Sequence, residues 1–249
     1  MTPNVSVIIP TLHLTRPRNA DPRYFLFPRY TLQQVLRDLK NNVKLPIEVI
    51  IVCNGTDPAL VDIVKNHPVV NKYCLNSVNV GVSRAWNMGA AMAEGEALCF
   101  LNDDVEVGAE AVEALFAVLE GDHSIAQVGP RGAKWRGAEH ERHVGETRME
   151  DADAISGFMF MIRSSLFRQV GGFDVAYTPA GFEEIDMSFT LRKHGFRCVV
   201  VPGLKVSHYG RHGVSASRST IDYLGTSVTS ADLHRRNKAY FMRKWNIAS

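Results

Sequence analysis

The sequence has no apolar run long enough to cross a membrane. None of the apolar stretches in its 249 residues approaches the ~18 residues that a transmembrane helix requires. The N-terminal MTPNVSVIIPT also lacks the basic segment and long apolar core of a signal peptide. We therefore expect a soluble cytoplasmic protein.

The chain also has little excess of either charge. It carries 28 lysines and arginines against 26 aspartates and glutamates, a formal net charge of +2. That balance argues against nucleic-acid binding driven by overall charge. A composition of 45% hydrophobic and 22% charged residues is that of an ordinary globular protein.

Cysteine is scarce and never paired in sequence. The four cysteines are Cys53, Cys74, Cys99 and Cys198, and no two form a CxxC motif. This spacing predicts neither a disulfide framework nor a zinc site. Each cysteine lies in or beside an apolar run, so we expect buried thiols in a reducing compartment.

The regular feature of the first half is an alternation of apolar strands with helices. Strands are predicted at 5–11, 47–55, 72–76 and 96–103, and helices at 30–42, 57–67, 82–95 and 108–121. In the helix over 82–95, Ser83 is a candidate cap and Gly95 a stop signal. Such alternation predicts an α/β fold of the Rossmann-like kind, with a mostly parallel sheet covered by helices on both faces.

The second half is less regular. Residues 140–153 are polar and are predicted to form a mobile loop, while 155–163 and 196–203 are strand candidates. A helix is predicted over 183–195, because acids open it and Lys193, His194 and Gly195 close it.

Small or polar residues lie at the ends of three of the predicted parallel strands. They are Pro10 and Thr11, then Cys53, Asn54 and Gly55, then Asn102, Asp103 and Asp104. In open α/β sheets ligands bind beyond the carboxyl ends of the strands. Oxygen ligands there suit Mg²⁺ or Mn²⁺, which in turn suits a diphosphate. The alternative is that Asp103 and Asp104 begin a turn and cap the helix near Gly108.

Several motifs in fixed order resemble those of family 2 glycosyltransferases. They are VSVIIPT, EVIIVCNGTD, NVGVSRAWNMGAAMAEGEALCFLNDDVEV, GGFD, FEEIDMSFTLRKHGFRCVVVPG and VSHYG. The similarity runs from about residue 5 to 212 and is greatest to members that add rhamnose or related sugars to surface glycans. It implies a single glycosyltransferase A domain that moves a sugar from a nucleotide donor.

The resemblance implies a donor and metal site at the strand ends. LNDD fills the position of the family's DxD motif, so Asp104 would bind Mn²⁺ or Mg²⁺, with Asn102 near the ribose or a metal-bound water and Asp103 beside them. His208 would approach the metal or the diphosphate, with Arg211 and His212 as alternatives. The implied donor-binding residues are Pro10, Thr11, Cys53, Asn54, Asn79, Asn87, Asn102 and Asp103.

Two positions depart from the family pattern within that site. Cys53 stands where many members have an aspartate that contacts the donor base, so the choice among UDP, dTDP and GDP stays open. Trp86 replaces an arginine that often precedes Asn87, and an aromatic residue in a helix is more often part of the core.

Catalysis and acceptor binding are implied for the second half. Glu184 matches the general base, although glutamate is one methylene longer than the usual aspartate, and Glu183, Gly172, Phe173 and Asp174 match acceptor-binding positions. The acceptor would be a glycan or a lipid-linked sugar. The alternative is that Glu183, Glu184 and Asp186 only complement a helix N-terminus.

The resemblance divides the single domain (1–249) into a nucleotide-sugar half (1–107), an acceptor and catalytic half (108–217) and a C-terminal helical extension (218–249).

Residues 12–30 form an insertion after the first strand. It is expected either to contact the donor phosphates or an acceptor glycan, or to be a solvated surface loop. A helix over 233–245 carries five cations with Tyr240, Phe241 and Trp245. It either touches an anionic membrane at the inner face or packs its aromatic side chains on the domain.

Two rival functions remain open at this point. A sugar nucleotidyltransferase would share a similar sheet, but it needs a glycine-rich loop after the first strand, and PTLHLTRP has no glycine. A nucleotide-sugar-binding module without catalysis is the second rival, given Cys53 and Asn102.

Overall fold

A computed structural model describes residues 3–14, 30–209 and 220–248. Most of the 12–30 insertion, together with Arg211 and His212, lies outside the described residues.

Strands and helices alternate through the first half as predicted. The strands are β1 Val5–Thr11, β2 Ile47–Cys53, β3 Lys72–Leu75, β4 Ala97–Leu101, β5 Val105–Val107, β6 Ile125–Gly129, β7 Gly132–Arg136, β8 Glu139–Val144, β9 Glu150–Ala152, β10 Ala154–Ile155, β11 Met159–Arg163, β12 Arg197–Val200, β13 Val206–His208, β14 Thr220–Tyr223 and β15 Thr226–Thr229. The helices are α1 Leu32–Asn42, α2 Pro58–Asn66, α3 Val82–Met92, α4 Ala111–Gly121, α5 Ser164–Gln169, α6 Glu183–Lys193 and α7 Ser230–Lys244. A short 3₁₀ helix spans Val175–Tyr177.

One eight-stranded sheet organises the fold, in the order β3-β2-β1-β4-β11-β6-β12-β9. The first four strands are parallel, as are β6 and β12, whereas β11 and β9 run antiparallel to their neighbours. Since β4 pairs with β11, the sheet continues across the predicted boundary at residue 107.

Alternating side chains of the central strands enter two separate cores. Val5, Val7 and Ile9 of β1 pack with α1, α2 and α4 on one face. Ile8 of the same strand packs with α3, α5 and α6 on the other. The period of two along a strand therefore places helices on both faces, as the sequence predicts.

The helix predicted over 82–95 begins at Val82 as predicted but ends earlier, at Met92. Its N-cap is Gly81, which has φ +83° and lies against Pro179, so Ser83 is inside the helix and buried. A Cβ on Gly95 would meet the main chain of Ser6 at 2.6 Å. Gly95 therefore permits close packing beyond the helix end, and does not itself end the helix.

The prediction of a mobile loop over 140–153 is wrong. This segment contains β8, which pairs with β7, and β9, which is the edge strand of the large sheet. Most of β8 is exposed, so its residues have no apolar face that alternation could reveal.

The C-terminal extension consists of the hairpin β14–β15 followed by α7. Phe241 is fully buried among Phe182, Phe189 and Trp245, and Tyr240 packs against Tyr177. The packed alternative is thus the one observed for the aromatic side chains. Among the described residues, no helix has the length and apolar character needed to cross a bilayer.

Candidate active site

The carboxyl ends of β1, β2 and β4 meet at one edge of the sheet. Thr11 pairs with Cys53 in the parallel register, and the amide of Asn54 donates to the Thr11 carbonyl at 2.7 Å. The Thr11 hydroxyl donates to Asp103 Oδ2 at 2.8 Å, and both residues are buried. Three separate strand ends predicted to carry a ligand are therefore in one hydrogen-bonded cluster.

Asp104 and His208 face each other beside this cluster. The His208 Nε2 atom lies 3.3 Å from Asp104 Oδ1, and the side chain of Asp104 is only 3% exposed. The short strand β13 pairs antiparallel with β5, which sets His208 opposite Val105 and next to Asp104. Asp104 and His208, which are far apart in sequence, are brought together by this pairing.

A turn before β11 orients the histidine. The Phe158 ring stacks on His208 with centroids 4.9 Å apart and planes 13° apart. The Phe158 carbonyl accepts a hydrogen bond from the amide of Asn102 at 2.9 Å. The segment Ser156-Gly157-Phe158 thereby fixes both the LNDD segment and the imidazole.

The same turn supports Glu184 from the other side. A Cβ placed on Gly157 would lie 3.1–3.4 Å from Cβ, Cγ and Cδ of Glu184, so the glutamate side chain lies directly over the glycine. Gly157 leaves room for that side chain, and Phe158 stacks on the histidine. The Ser156-Gly157-Phe158 turn therefore contacts both Glu184 and the histidine of the Asp104–His208 pair.

Glu183 and Glu184 open α6 at a constrained N-terminus. Gly181 and Phe182 both have positive φ, +93° and +78°. Burial raises the pKa of Glu183 well above its ordinary value, and the neighbouring Glu184 carboxylate raises it further. Burial also raises the pKa of Glu184, partly offset by main-chain N–H groups of the helix start. Among the described residues, no donor reaches Glu183 Oε2.

The burial of Glu183 predicts a stability that falls as pH rises. Its pKa is higher in the folded than in the unfolded chain, so the folded form loses relative stability as pH rises from about 4.5 through the folded pKa. Glu183→Gln does not titrate, and we expect its gain in unfolding free energy over wild type to increase with pH. Urea unfolding at acid, neutral and alkaline pH measures this, with exposed Glu146→Gln as the control. A difference in unfolding free energy between Glu183→Gln and wild type that is constant with pH would contradict this prediction.

Helix α7 holds the loop that precedes Glu183. The Asn237 side chain is 1% exposed, and its Nδ2 lies 2.9 Å from the carbonyl oxygens of Tyr177, Ala180 and Gly181. At the end of the helix, Lys244 Nζ and Trp245 Nε1 reach Asp186 at 2.7 and 2.8 Å. The C-terminal helix therefore fixes both the N-terminus of α6 and its first turn.

Removing the Asn237 amide should loosen this loop. Asn237→Ala leaves buried carbonyls without a donor, which costs about 1–3 kcal/mol of unfolding free energy. Chemical denaturation measures the loss. Arg235→Ala is the matched control, because Arg235 is on the same helix with its side chain 80% exposed and pairs with Asp232. Equal stability of the two variants would contradict the role given to Asn237.

An open cleft of about 250 Å³ adjoins Glu184. It is bounded by β7 and β8 on one side, and by the start of α6 and by α7 on the other. Its lining residues are Trp135, Ala138, Glu139, His140, Gly181, Phe182, Glu184, Ile185 and His234. Glu184 thus borders this cleft as well as the Gly157 turn.

Known proteins match this chain both in sequence and in fold. A model of the family described as Glycosyl transferase family 2 matches residues 29–180, more than half of the chain. The chain belongs to glycosyl transferase family 2. The family resemblance inferred from the motifs is thereby confirmed.

Relatives of this family 2 chain are similar over different shares of it. N-acetylglucosaminyl-diphospho-decaprenol L-rhamnosyltransferase of Mycobacterium tuberculosis is 35% identical over 83 residues, which are 32% of this chain and 27% of that protein. The crystal structure of GalNAc-T7 with UDP, GalNAc and Mn²⁺ superposes with a TM-score of 0.69 at 16% identity, covering 97% of this chain and 48% of that one.

A second solved structure shows the same fold. The mannosyltransferase PcManGT from Pyrobaculum calidifontis in complex with GDP-Man and Mn²⁺ gives a TM-score of 0.56 at 16% identity, covering 82% of this chain and 56% of that one. These structures confirm the predicted glycosyltransferase A fold. The chain spans about half the length of these two proteins and about a quarter of the mycobacterial one.

Three of the residues inferred from the family pattern have side chains that pack or form hydrogen bonds within the protein. Cys53 is fully buried in the core, and its burial raises the pKa of the thiol. Phe173 is 3% exposed within an aromatic cluster around Trp86. Asp174 accepts hydrogen bonds from Tyr240 and Lys244 of α7. The side chains of Cys53 and Phe173 pack in the core, and the donor and acceptor contacts inferred for these three residues remain predictions.

Two of the predicted donor-binding asparagines form side-chain hydrogen bonds to the main chain. Asn87 Nδ2 donates to the Phe173 carbonyl, and Asn87 Oδ1 accepts from the Phe173 amide. Gly172 fits closely against this amide, since a Cβ there would meet Asn87 Oδ1 at 2.7 Å. Asn79 contacts the Asp222 carbonyl of the β14–β15 hairpin. Their donor contacts remain predictions, as does that of Pro10.

Sequence reasoning missed Gly157, Phe158, Trp135 and Asn237. The glycine in ISGF was the available signal for the turn, because a glycine at the edge of a strand pattern often marks close approach of another group. Trp135 and Asn237 gave no such signal, since their roles depend on contacts between segments distant in sequence.

The residues present fit a hard cation with few protein ligands. Among the described residues, no group of three or more histidines, cysteines or acids could hold a metal ion. Mg²⁺-type sites are commonly formed by one or two carboxylates, with substrate phosphates supplying further ligands. Asp104 and His208, with Asp103 adjacent, match such a site.

Proposed function

We propose that this chain is an inverting glycosyltransferase that uses a nucleotide-sugar donor and a divalent metal. The observation that carries the proposal is the Ser156-Gly157-Phe158 turn, which supports Glu184 on one side and His208 on the other. A carboxylate base and a donor-diphosphate site on one turn are what direct displacement at an anomeric carbon requires.

Glu184 is the proposed general base. Its carboxylate accepts the proton of an acceptor hydroxyl as that oxygen forms a bond to C1 of the donor sugar. The bond between C1 and the diphosphate oxygen breaks, and its electron pair leaves with the diphosphate. Attack on the face opposite the leaving group inverts the anomeric configuration. A raised pKa suits a base that works near neutral pH.

Asp104 and His208 are the proposed metal ligands. A bound Mn²⁺ or Mg²⁺ would neutralise charge that develops on the departing diphosphate. Thr11, Asn54 and Asp103 line the same edge of the sheet and would position the nucleotide. The mannosyl- and GalNAc-transferase structures, which contain Mn²⁺ with GDP-Man or UDP, support the use of a divalent metal.

The proposed acceptor is a glycan or a lipid-linked sugar, in line with the name of the mycobacterial relative. Peripheral membrane contact through α7 would have to be electrostatic only, because the aromatic side chains pack inward. Several α7 cations also form ion pairs, such as Lys244 with Asp174 and Asp186.

A thermal-shift panel tests the donor side of the proposal. UDP, GDP and dTDP are each added with Mn²⁺ or with EDTA. At about one hundred times Kd, the preferred nucleotide should stabilise the fold by about 2.7 kcal/mol, and EDTA should remove most of that gain. Stabilisation by no nucleotide in the presence of Mn²⁺ would contradict the proposal.

A further inference from the structure

The cleft beside Glu184 has the chemistry of a sugar site. Trp135 packs with Phe182 and Ile185 of a small aromatic core yet remains partly exposed and lines the cleft. An aromatic face is the usual partner for the C–H face of a pyranose ring. The exposed His140 and His234 add ring nitrogens that can donate to or accept from hydroxyl groups.

The charges of the cleft argue against a phosphate ligand. Its lining includes Glu139, which pairs with Lys238, and Glu184, and no lysine or arginine is among the described residues that line it. A diphosphate would find no lysine or arginine in this lining to offset its charge. A neutral, hydroxyl-bearing group would find an aromatic wall and several hydrogen-bonding partners.

The size of the cleft fits a single ring. Its volume of about 250 Å³ is below the ~300–1,000 Å³ that is typical of sites for drug-sized ligands. Glu184 borders the cleft, so a ring seated on Trp135 would present a hydroxyl near that carboxylate. The long polyprenyl chain of a lipid would not fit within this space.

We infer that Trp135, His140 and His234 form the acceptor subsite, and that it holds one neutral pyranose ring stacked on Trp135. This inference rests on the proposed function, since it takes Glu184 as the base. It assigns the acceptor side to the hairpin β7–β8 and to α7, two segments outside the nucleotide-sugar half of the chain.

The tryptophan indole signals give a direct test by ¹H–¹⁵N NMR. The chain has three tryptophans: Trp86 is buried, Trp245 is hydrogen-bonded to Asp186, and Trp135 lines the cleft. The probes are N-acetylglucosamine, glucose, galactose, mannose and rhamnose, each added as the free sugar. At least one should shift the Trp135 signal while the Trp86 signal stays in place. No shift of Trp135 with any of these sugars would overturn the inference.

A variant series confirms the site of binding. Both Trp135 variants lack the reporter signal, so their sugar affinity is measured by titration calorimetry. Trp135→Ala should weaken binding of the sugar by about tenfold or more, and Trp135→Phe should weaken it less. Unchanged Trp86 and Trp245 signals show that each variant is folded. If Trp135→Ala does not fold, His140→Ala on the exposed strand takes its place and should also weaken binding. Sugar affinity equal to wild type in the folded variants would overturn the inference.

The two proposals fail in different experiments. Nucleotide titration of Trp135→Ala should give the wild-type affinity, because neither Asp104 nor His208 lines the cleft. Absence of nucleotide binding in the wild-type protein would contradict the proposed function alone. Sugar binding that shifts Trp245 or Trp86 but not Trp135 would contradict the acceptor subsite alone.

Discussion

Asp104→Ala should abolish Mn²⁺-dependent binding of the donor nucleotide. Asp104 is the buried carboxylate of the Asp104–His208 pair, and a hard cation held by few protein ligands depends on each of them. The stabilisation of about 2.7 kcal/mol expected for wild type at one hundred times Kd should therefore disappear. Isothermal titration of the nucleotide with and without Mn²⁺ measures the same loss as an affinity.

The control for Asp104→Ala is Asp62→Asn, which alters an exposed carboxylate on α2. It should bind the nucleotide as wild type does. Circular dichroism of both variants checks that the fold is intact. Nucleotide binding by Asp104→Ala that still responds to Mn²⁺ would show that the metal is held elsewhere.

Glu184→Gln should lower turnover by ~10²-fold or more with little change in donor affinity. The amide keeps the shape that fits over Gly157 but cannot accept the acceptor proton. Glu183→Gln is the matched control, since it makes the same chemical change one residue earlier at a position that does not line the cleft. If Glu183→Gln loses turnover while Glu184→Gln keeps near-normal turnover, Glu183 and not Glu184 is the general base.

The pH dependence of turnover should reflect the partly buried position of Glu184. A base acts only when deprotonated, and burial raises the pKa of Glu184 above that of an exposed glutamate. The acid limb of kcat/KM should therefore lie above pH 4.5, with activity rising as pH rises through the shifted pKa.

The polar edge of the sheet could be predicted because it follows from strand order alone. Parallel strands place their carboxyl ends together, so Thr11, Asn54 and Asp103 had to be neighbours once β1, β2 and β4 were recognised. The apolar runs of these strands are strong signals because both faces of the sheet are covered.

The rest of the site depends on contacts that no local pattern reveals. His208 reaches Asp104 through a pairing of three-residue strands, β5 with β13, which are too short to show a period. The hairpin that contributes Trp135 was predicted as loop in its second strand because β8 is exposed and polar. Phe173 matched a family position but is directed inward by its packing on Trp86 and Phe100.

Release of nucleoside diphosphate from a nucleotide-sugar tests the central proposal most directly. The wild-type protein, Glu184→Gln and Glu183→Gln are each incubated with UDP-, GDP- and dTDP-sugars, a lipid-linked N-acetylglucosamine acceptor, and either Mn²⁺ or EDTA. We predict acceptor-dependent release from donors of one base, lost in EDTA, lost in Glu184→Gln and retained in Glu183→Gln. Release that persists in EDTA or in Glu184→Gln would contradict the account.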